Sequence, residues 1–230
     1  MNDAELISAL RAFDTPTICN ALDLLCPDRA GISATTCQLL WARDGEPPMA
    51  GLAVTARMRA DAPPTWTPSE GAARRLAYWR HLAAVPRPAL LAVQDISERA
   101  GIGGIWGDVN AAIHLGFGIC GVVTDGAVRD LPLLPPGFGL LAGTVTPAHG
   151  HGHVVDWDGP VEVAGMTVRP GDVLHADRHG AVAFPADLLP MLPDAARRVQ
   201  QREALILAAA RAPDLDPERL LVAFTAAARI

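Results

Sequence analysis

Residues 101–130, GIGGIWGDVNAAIHLGFGICGVVTDGAVRD, decide the fold because their pattern predicts a turn, a helix, a strand and a second turn in succession. The turn is rich in glycine, and Asp108 follows it where a helix is expected to begin. Gly116 and Gly118 are expected to end that helix. The apolar run 119–123 then predicts a short buried strand. A helix followed by a buried strand is typical of α/β proteins.

Charged side chains stand at both ends of this unit. Asp108 begins the helix, and Arg129 and Asp130 follow the strand, so that residues 109–128, 20 in number, separate Asp108 from Arg129. One helix and one strand bring a chain back to the same edge of a sheet, which is where open α/β sheets bind ligands. The free N–H groups of a helix start also favour an anion there. We therefore expect these three side chains to face one pocket.

The length of the chain fits one domain. Its 230 residues are enough for one sizeable core, and no shift in composition marks a second domain. We expect a single domain over 1–230, with N-terminal helices in 1–30 and C-terminal helices in 187–230 as extensions. Helices alternate with strands before a β-rich stretch and closing helices, a pattern that predicts a three-layer α/β domain.

The composition argues against several classes of protein. No apolar run approaches the ~18 residues that cross a bilayer, and the N-terminus lacks the pattern of a secretion signal, so we expect a cytoplasmic protein with no membrane partner. A formal net charge of −6 gives no electrostatic basis for binding nucleic acid. The four cysteines lack metal-site spacing and are expected to be reduced and buried, rather than in disulfides or a zinc site: Cys19, Cys26, Cys37 and Cys120.

Hydrophobic periodicity and capping residues predict the other elements. Helices are expected over Asp3–Ala12, from a cap at Asp14 or Thr15, from a cap at Ser69 with Leu76, Trp79 and Leu82 facing inward, over Asp187–Ala212 and over Asp216–Arg229. Strands are expected over 52–59, 89–93 and 139–145, and in a hairpin that turns at Ala164–Gly165. Turns or loops are expected at Gly45, Pro47 and Pro48 and over the polar residues 146–158.

Three motifs together resemble one known family. They are GIWGDVN at 104–110, GVVTDGAVRD at 121–130 and RPGDVLHADRHGAVAFP at 169–185. This combination resembles the RraA-like family, which includes the 4-hydroxy-4-methyl-2-oxoglutarate aldolases, over roughly residues 51–185. The spacing D-x20-R-D is the aldolase signature of that family, and this chain reproduces it without a gap.

The resemblance implies a fold and an activity. It implies a swivelling β/β/α domain that forms homotrimers or homohexamers with sites at subunit contacts. It also implies a divalent cation, Mg²⁺ or Mn²⁺, that serves retro-aldol cleavage of a 4-hydroxy-2-oxo acid to pyruvate, and several members decarboxylate oxaloacetate. The small-molecule partner is therefore expected to be a 2-oxo acid.

The resemblance also assigns roles to residues. It places the substrate loop on Gly107, Asp108, Val109 and Asn110, the substrate arginine on Arg129, and the direct metal ligand on Asp130. Glu203 corresponds to a glutamate that reaches the neighbouring subunit's site, and both Asp108 and Glu203 are candidates to hold the metal through water.

The chemistry of the residues agrees with this assignment. Breaking a carbon–carbon bond next to a ketone leaves an enolate, whose charge requires either a Schiff base or a Lewis acid. The chain contains no lysine, which excludes the Schiff base. Arg129 can pair with the oxo-acid oxygens, and Asp108 can orient a water that removes the hydroxyl proton.

Simpler interpretations remain beside this one. Taken alone, Arg129 and Asp130 predict a surface ion pair, and Asp108 predicts an N-cap. Asp125 is expected to brace its turn, and Asp177 with Arg178 to be structural rather than catalytic.

Other features have no place in the family pattern. His149, His151 and His153 alternate, so they can bind a soft metal, line a solvated loop, or form a pocket wall at the far end of a substrate. Trp66 likewise has no assigned role. The four other tryptophans are expected to pack in the interior: Trp41, Trp79, Trp106 and Trp157.

Two other functions remain open. The first is a non-catalytic regulator, since the family's namesake binds and inhibits a ribonuclease. The second is a dinucleotide-binding domain, suggested by Gly101, Gly103 and Gly107, but the GxGxxxG spacing is one residue too long for that fingerprint.

Overall fold

The computed structural model describes residues 1–42 and 46–230. Gly45, for which the sequence predicts a turn, lies outside the described residues. The α-helices are α1 (Asp3–Leu10), α2 (Thr15–Leu25), α3 (Pro68–Ala84), α4 (Asp108–Gly116), α5 (Leu192–Ala210) and α6 (Pro217–Ala227). The strands are β1 (Ser33–Ala34), β2 (Leu40–Trp41), β3 (Met49–Arg59), β4 (Ala89–Asp95), β5 (Gly104–Trp106), β6 (Ile119–Thr124), β7 (Ala127–Val128), β8 (Gly139–Ala142), β9 (Thr144–Val145), β10 (His153–Trp157), β11 (Val161–Val163), β12 (Met166–Val168), β13 (Val173–Asp177) and β14 (Gly180–Phe184).

The main sheet has a parallel centre with antiparallel flanks. Its strand order is β1-β14-β13-β3-β4-β6-β8-β2, and β10 also pairs with β3. Strands β3, β4, β6 and β8 run parallel to one another. Two smaller sheets stand apart from it, the hairpin β11-β12 and the parallel set β5-β7-β9. This mixed sheet with its helical layers has the α/β fold class that the sequence predicts.

The alternation of strand residues separates two core layers. On β4, Leu91 and Val93 pack with α3, α4 and β5, whereas Leu90 and Ala92 pack with the hairpin β11-β12. Because successive side chains of a strand point to opposite faces, a strand covered on both sides must be apolar throughout. A third cluster joins α1, α2 and α5 to the outer strands β13 and β14.

Several expected elements are confirmed. Asp14 caps α2, its side chain accepting from the Thr17 N–H. Ala164 and Gly165 both have positive φ, 50° and 82°, as a two-residue hairpin turn requires. The four cysteines are free, but the prediction that they are buried was wrong, because Cys19, Cys26 and Cys120 are half-buried and Cys37 is exposed.

The start of α3 differs from the prediction. Its N-cap is Thr67 rather than Ser69. The Thr67 N–H donates to Glu70 Oε2 at 2.7 Å, and the Glu70 N–H donates to Thr67 Oγ1 at 3.4 Å. This reciprocal pair needs the acid three residues after the cap, a spacing that Thr67 meets and Ser69 does not.

The inward face of α3 was only partly predicted. Leu82 and Tyr78 are buried and Trp79 is half-buried, but Leu76 is 46% exposed. Since two residues along a helix turn it by ~200°, Leu76 lies on the side opposite Tyr78.

Three other predicted boundaries were wrong. Residues 153–157 belong to β10, which pairs with β3, rather than to a loop. The strand predicted over 139–145 breaks at Gly143 into β8 and β9, because β9 leaves the main sheet to pair with β7. The helix predicted from Asp187 begins at Leu192, with Pro193 in its first turn.

Within the described residues, we find no helix that has both the length and the apolar character to span a bilayer.

Candidate functional site

The small parallel sheet brings the two ends of the 101–130 unit together. Strand β5 runs parallel to β7, with Trp106 opposite Val128. The Arg129 N–H continues this ladder by donating to the main-chain oxygen of Trp106 at 2.8 Å. Gly107 and Arg129 therefore leave neighbouring strands at the same carboxyl edge, which is the ligand-binding edge of such sheets. We call the residues Gly107, Asp108, Arg129 and Asp130 the acidic corner.

Gly107 backs directly onto Asp130. A Cβ placed on Gly107 would lie 2.5 Å from Asp130 Oδ2 and 3.3 Å from Arg129 Cγ. Real Cβ atoms do not approach oxygen that closely, so any other residue at this position would displace the Asp130 carboxylate. The predicted convergence of the turn before α4 with the Arg129–Asp130 pair is present in the fold.

Asp108 is the first residue of α4 and not its cap. The N-cap is Gly107, and the helix start has no side-chain cap hydrogen bond. Asp108 Oδ1 instead accepts from the Val109 N–H at 2.7 Å. The N-cap interpretation of Asp108 is therefore wrong, and its half-buried carboxylate lies at the positive end of the α4 dipole.

Asp130 has an uncommon backbone conformation and a charged neighbour. Its φ of 54° and ψ of 32° lie in the left-handed region, which aspartate tolerates better than most residues. Arg129 Nε lies 3.2 Å from Asp130 Oδ2, and these side chains are 36% and 33% exposed. The two side chains are thus partly exposed, and a small ligand has access to them.

Asn110 and Glu203 lie away from the acidic corner in this chain. The Asn110 side chain donates to the Ile105 main-chain oxygen at 2.5 Å and lines a separate cavity. Glu203 lies on α5, where its Oε1 accepts from Asn20 at 3.3 Å. Helix α5 packs with α1 and α2. A contact of Glu203 with a neighbouring subunit's site stays a prediction.

The donor set suits a hard cation. Within residues 1–42 and 46–230, no three His, Cys, Asp or Glu side chains are grouped to hold a metal ion. The interpretation of His149, His151 and His153 as a soft-metal site therefore gains no support. The acidic corner offers Asp130 and Asp108, and Mg²⁺ commonly binds through one or two carboxylates while it keeps several waters. The residues present fit such an ion.

Two other aspartates accept hydrogen bonds from backbone N–H groups. Asp125 Oδ1 accepts from the Asp95 N–H at 2.7 Å, and burial raises the pKa of Asp125 to about 6. Asp177 Oδ2 accepts from the Thr15 N–H at the start of α2, and its Oδ1 accepts from the His179 N–H, both at 2.8 Å. Each carboxylate thus holds a backbone turn.

A cavity of about 390 Å³ lies beside this corner, and sequence reasoning did not identify it. Its walls come from three stretches of chain: 64–79, 105–114 and 149–157. The two features without a role in the sequence, Trp66 and the alternating histidines, meet here, and the Trp66 and His153 ring centroids are 5.0 Å apart. The remaining aromatic and cationic wall residues are Arg74, Arg75, Tyr78, Trp79, Trp106, His114 and Trp157. We call this space the aromatic cavity.

Comparison with known proteins places the chain among described relatives. The family model described as RraA-like, Aldolase/RraA, matches residues 15–183. The solved structure of an uncharacterized protein from Pseudomonas syringae pv. tomato str. DC3000 superimposes with a TM-score of 0.73 at 22% identity, covering 96% of this chain and 93% of that one. The superposition on the Pseudomonas syringae structure shows that the two chains share a fold.

Two further relatives carry names. Streptomyces coelicolor RraAS2, described as an unusual member of the RNase ES inhibitor RraA protein family, matches with a TM-score of 0.68 and 25% identity, covering 89% of this chain and 97% of its own. Protein DlpA of Legionella pneumophila is 30% identical over 88 residues, which are 37% of this chain. That match spans only 14% of the length of DlpA.

Proposed function

The chain belongs to the RraA-like family, and we propose that it acts there as a divalent-metal-dependent lyase. Its reaction would be retro-aldol cleavage of a 4-hydroxy-2-oxo acid to pyruvate, decarboxylation of oxaloacetate, or both. The supporting observation is the approach of Gly107 to Asp130, where a Cβ would come within 2.5 Å of the carboxylate. This close approach places the Arg129–Asp130 pair against the start of α4, where the proposed substrate loop lies.

Each residue of the acidic corner has a role in this proposal. Mg²⁺ or Mn²⁺, held by Asp130 and through water by Asp108, would supply a Lewis acid for the 2-oxo group. Arg129 is oriented by the 3.2 Å contact of its Nε with Asp130. Its planar fork pairs with the oxygens of the oxo acid and stabilises the negative charge that develops as the bond breaks.

The start of α4 supplies the remaining contacts. The N–H groups of its first turn, at the positive end of the helix dipole, bind the substrate carboxylate. Asp108 accepts the proton of the substrate hydroxyl through a bridging water. Because the chain has no lysine, a Schiff-base route to the same products is excluded.

We also propose that the protein assembles as a homotrimer or homohexamer. The described part of the C-terminal segment exposes several large apolar side chains, which monomeric proteins seldom group together. They are Leu205, Leu207, Leu215, Leu221, Val222 and Phe224. Light scattering coupled to size exclusion tests this assembly, and a monomer at micromolar concentration contradicts it.

A regulator of ribonuclease activity is the second candidate, favoured by the 25% identity with RraAS2. Pyruvate release from oxaloacetate and from 4-hydroxy-4-methyl-2-oxoglutarate, followed with Mn²⁺ and then with a chelator, separates the two. The lyase proposal predicts release with the metal, above the rate of the metal alone, and loss with the chelator. No release from either substrate, together with inhibition of a ribonuclease, favours the regulator.

A further inference from the structure

The aromatic cavity concentrates the ring side chains of the protein. Four of the five tryptophans and the only tyrosine line it. The side chains of Asp108, Arg129 and Asp130 are not part of its wall. The proposed lyase chemistry therefore leaves the cavity without a role.

The floor of the cavity is rigid and neutral. His114 Nδ1–H donates to the Asn110 main-chain oxygen at 2.7 Å, so its Nε2 accepts from the Tyr78 O–H at 3.0 Å. Burial lowers the pKa of His114 to about 4, which keeps the ring uncharged at neutral pH. The Trp106 ring meets the His114 ring edge-on at 4.8 Å between centroids, and the Trp157 ring lies 5.5 Å from that of Tyr78.

One wall of the cavity is cationic. The Arg74 guanidinium lies 4.5 Å above the Trp66 ring and donates to the Val155 main-chain oxygen. Arg75 stands beside it on α3. The described wall residues include no aspartate or glutamate, although the chain carries a formal net charge of −6. This wall therefore suits an anion.

Two residues of the cavity wall also carry buried N–H donors that have no hydrogen-bond partner among the described residues. Trp106 is only 3% exposed, and its Nε1 has no hydrogen-bond partner among the described residues. Arg74 Nε is also buried and has no hydrogen-bond partner among the described residues. These two nitrogen atoms are themselves covered by the protein, so they belong to the interior of the wall rather than to the surface of the cavity.

We propose that the aromatic cavity binds a planar aromatic carboxylate. The ring packs among the tryptophans and Tyr78, and the carboxylate faces Arg74 and Arg75. The volume of about 390 Å³ is at the lower end of small-molecule pockets and accommodates a ligand of one or two rings. This site is independent of the proposed lyase reaction.

Calorimetry with phenylacetate as the probe tests the chemical class. Cyclohexylacetate keeps the charge and lacks the aromatic ring, whereas phenylacetamide keeps the ring and lacks the charge. We expect each of these to bind at least ~10-fold more weakly than phenylacetate, since one loses ring stacking and the other the ion pair. No detectable heat with phenylacetate, or equal affinity for all three probes, overturns the proposal.

Variants locate the binding site. Arg74→Gln and Trp66→Leu should each weaken phenylacetate binding about 10-fold, because one removes the charge and the other an aromatic ring of the wall. Arg80→Gln, on the exposed side of the same helix, is the matched control and should bind as the wild type does. Unchanged affinity in both cavity variants contradicts the site.

A last variant separates this cavity from the acidic corner. Arg129→Ala removes the arginine of the acidic corner, which could also hold a carboxylate, and should leave the phenylacetate affinity unchanged. If Arg129→Ala abolishes binding and Arg74→Gln does not, the carboxylate binds at the acidic corner and the proposal is wrong.

Discussion

Trp106 and Gly107 are neighbours in the chain, yet they contribute to two regions of opposite character. Trp106 is buried at 3% exposure in an aromatic wall. Gly107 lies against Asp130 in a corner whose charged side chains are about one-third exposed. Successive residues of a strand point to opposite sides, so one strand end serves both regions.

The difference shows what each region can do. A carboxylate pair that remains partly hydrated can exchange the waters of a hard cation and receive a small anionic substrate. A cavity lined by aromatic rings recognises the shape of a ligand, and burial keeps His114 on its floor uncharged at neutral pH. We therefore propose chemistry at the acidic corner and recognition in the aromatic cavity.

The largest expected effect comes from Asp130→Asn. Asparagine also tolerates the left-handed conformation that Asp130 adopts, so the fold should survive while the charge is lost. We expect the metal-dependent kcat to fall by ~10²–10³, comparable to the loss of one electrostatic catalytic group. Asp156→Asn is the control, since Asp156 pairs with Arg57 on β10 and β3 and should not affect turnover. Normal turnover by Asp130→Asn would remove the chemistry from this corner.

A smaller loss is expected from Arg129→Lys. Lysine keeps the charge but presents a single point donor, so it cannot make the paired contacts of the guanidinium fork. We expect kcat to fall by ~10–100-fold with metal affinity largely retained. Steady-state kinetics together with Mn²⁺ titration separate the two quantities, and wild-type kcat in this variant would argue against a role for the fork.

Gly107→Ala tests the close approach of the two turns. The added methyl group would meet Asp130 Oδ2 at 2.5 Å, so the carboxylate must move. We expect kcat/KM to fall about 10-fold, because displaced catalytic groups lose alignment with the substrate.

Gly116→Ala, at the other end of α4, is the matched control for Gly107→Ala. No atom lies within 4 Å of its new Cβ, so its kinetics should equal those of the wild type and its Tm should not fall. Equal kcat/KM in the two variants would show that the close approach has no role in catalysis.

The buried histidines predict the pH dependence of stability. Burial lowers the pKa of both His114 and His175 to about 4, so the folded state favours their neutral forms and this stabilisation is lost as the pH falls from about 6.5 towards 4. Asp125, whose pKa burial raises to about 6, acts in the opposite direction over the same interval. The two histidines outweigh one aspartate, so we expect a net fall of about 2 kcal/mol in unfolding free energy between about pH 7 and pH 5.

Urea unfolding at several pH values measures that fall. His114→Leu removes one of the two histidines and should reduce the pH dependence while lowering stability at every pH. Stability that stays constant or rises on acidification would contradict the neutral, buried state of these rings.

The meeting of the turn before α4 with the Arg129–Asp130 pair was predictable because its parts are local. Asp108 and that pair lie at the two ends of one helix–strand unit, and their spacing indicates that the chain returns to the same edge. The metal and substrate roles of these residues stay predictions. What the spacing could not give was the N-cap: Gly107, not Asp108, precedes the helix, because the close contact with Asp130 requires a residue without a side chain there.

The aromatic cavity was not predictable for the converse reason. Its walls come from segments as distant as Trp66 and Trp157, and no local pattern indicates that they meet. The strand β10 that carries Trp157 reads as a polar loop in the sequence, and only its pairing with β3 makes it a wall. Trp66 and the three alternating histidines were visible as unexplained residues, which was the available signal.

The proposed metal site is tested by a crystal of the protein grown with Mn²⁺ and pyruvate, with the anomalous scattering of manganese recorded. We expect a manganese peak at the Asp130 carboxylate, with pyruvate oxygens against Arg129 and the pyruvate carboxylate at the start of α4. Manganese bound elsewhere, or no manganese at Asp130 with pyruvate present, would contradict it.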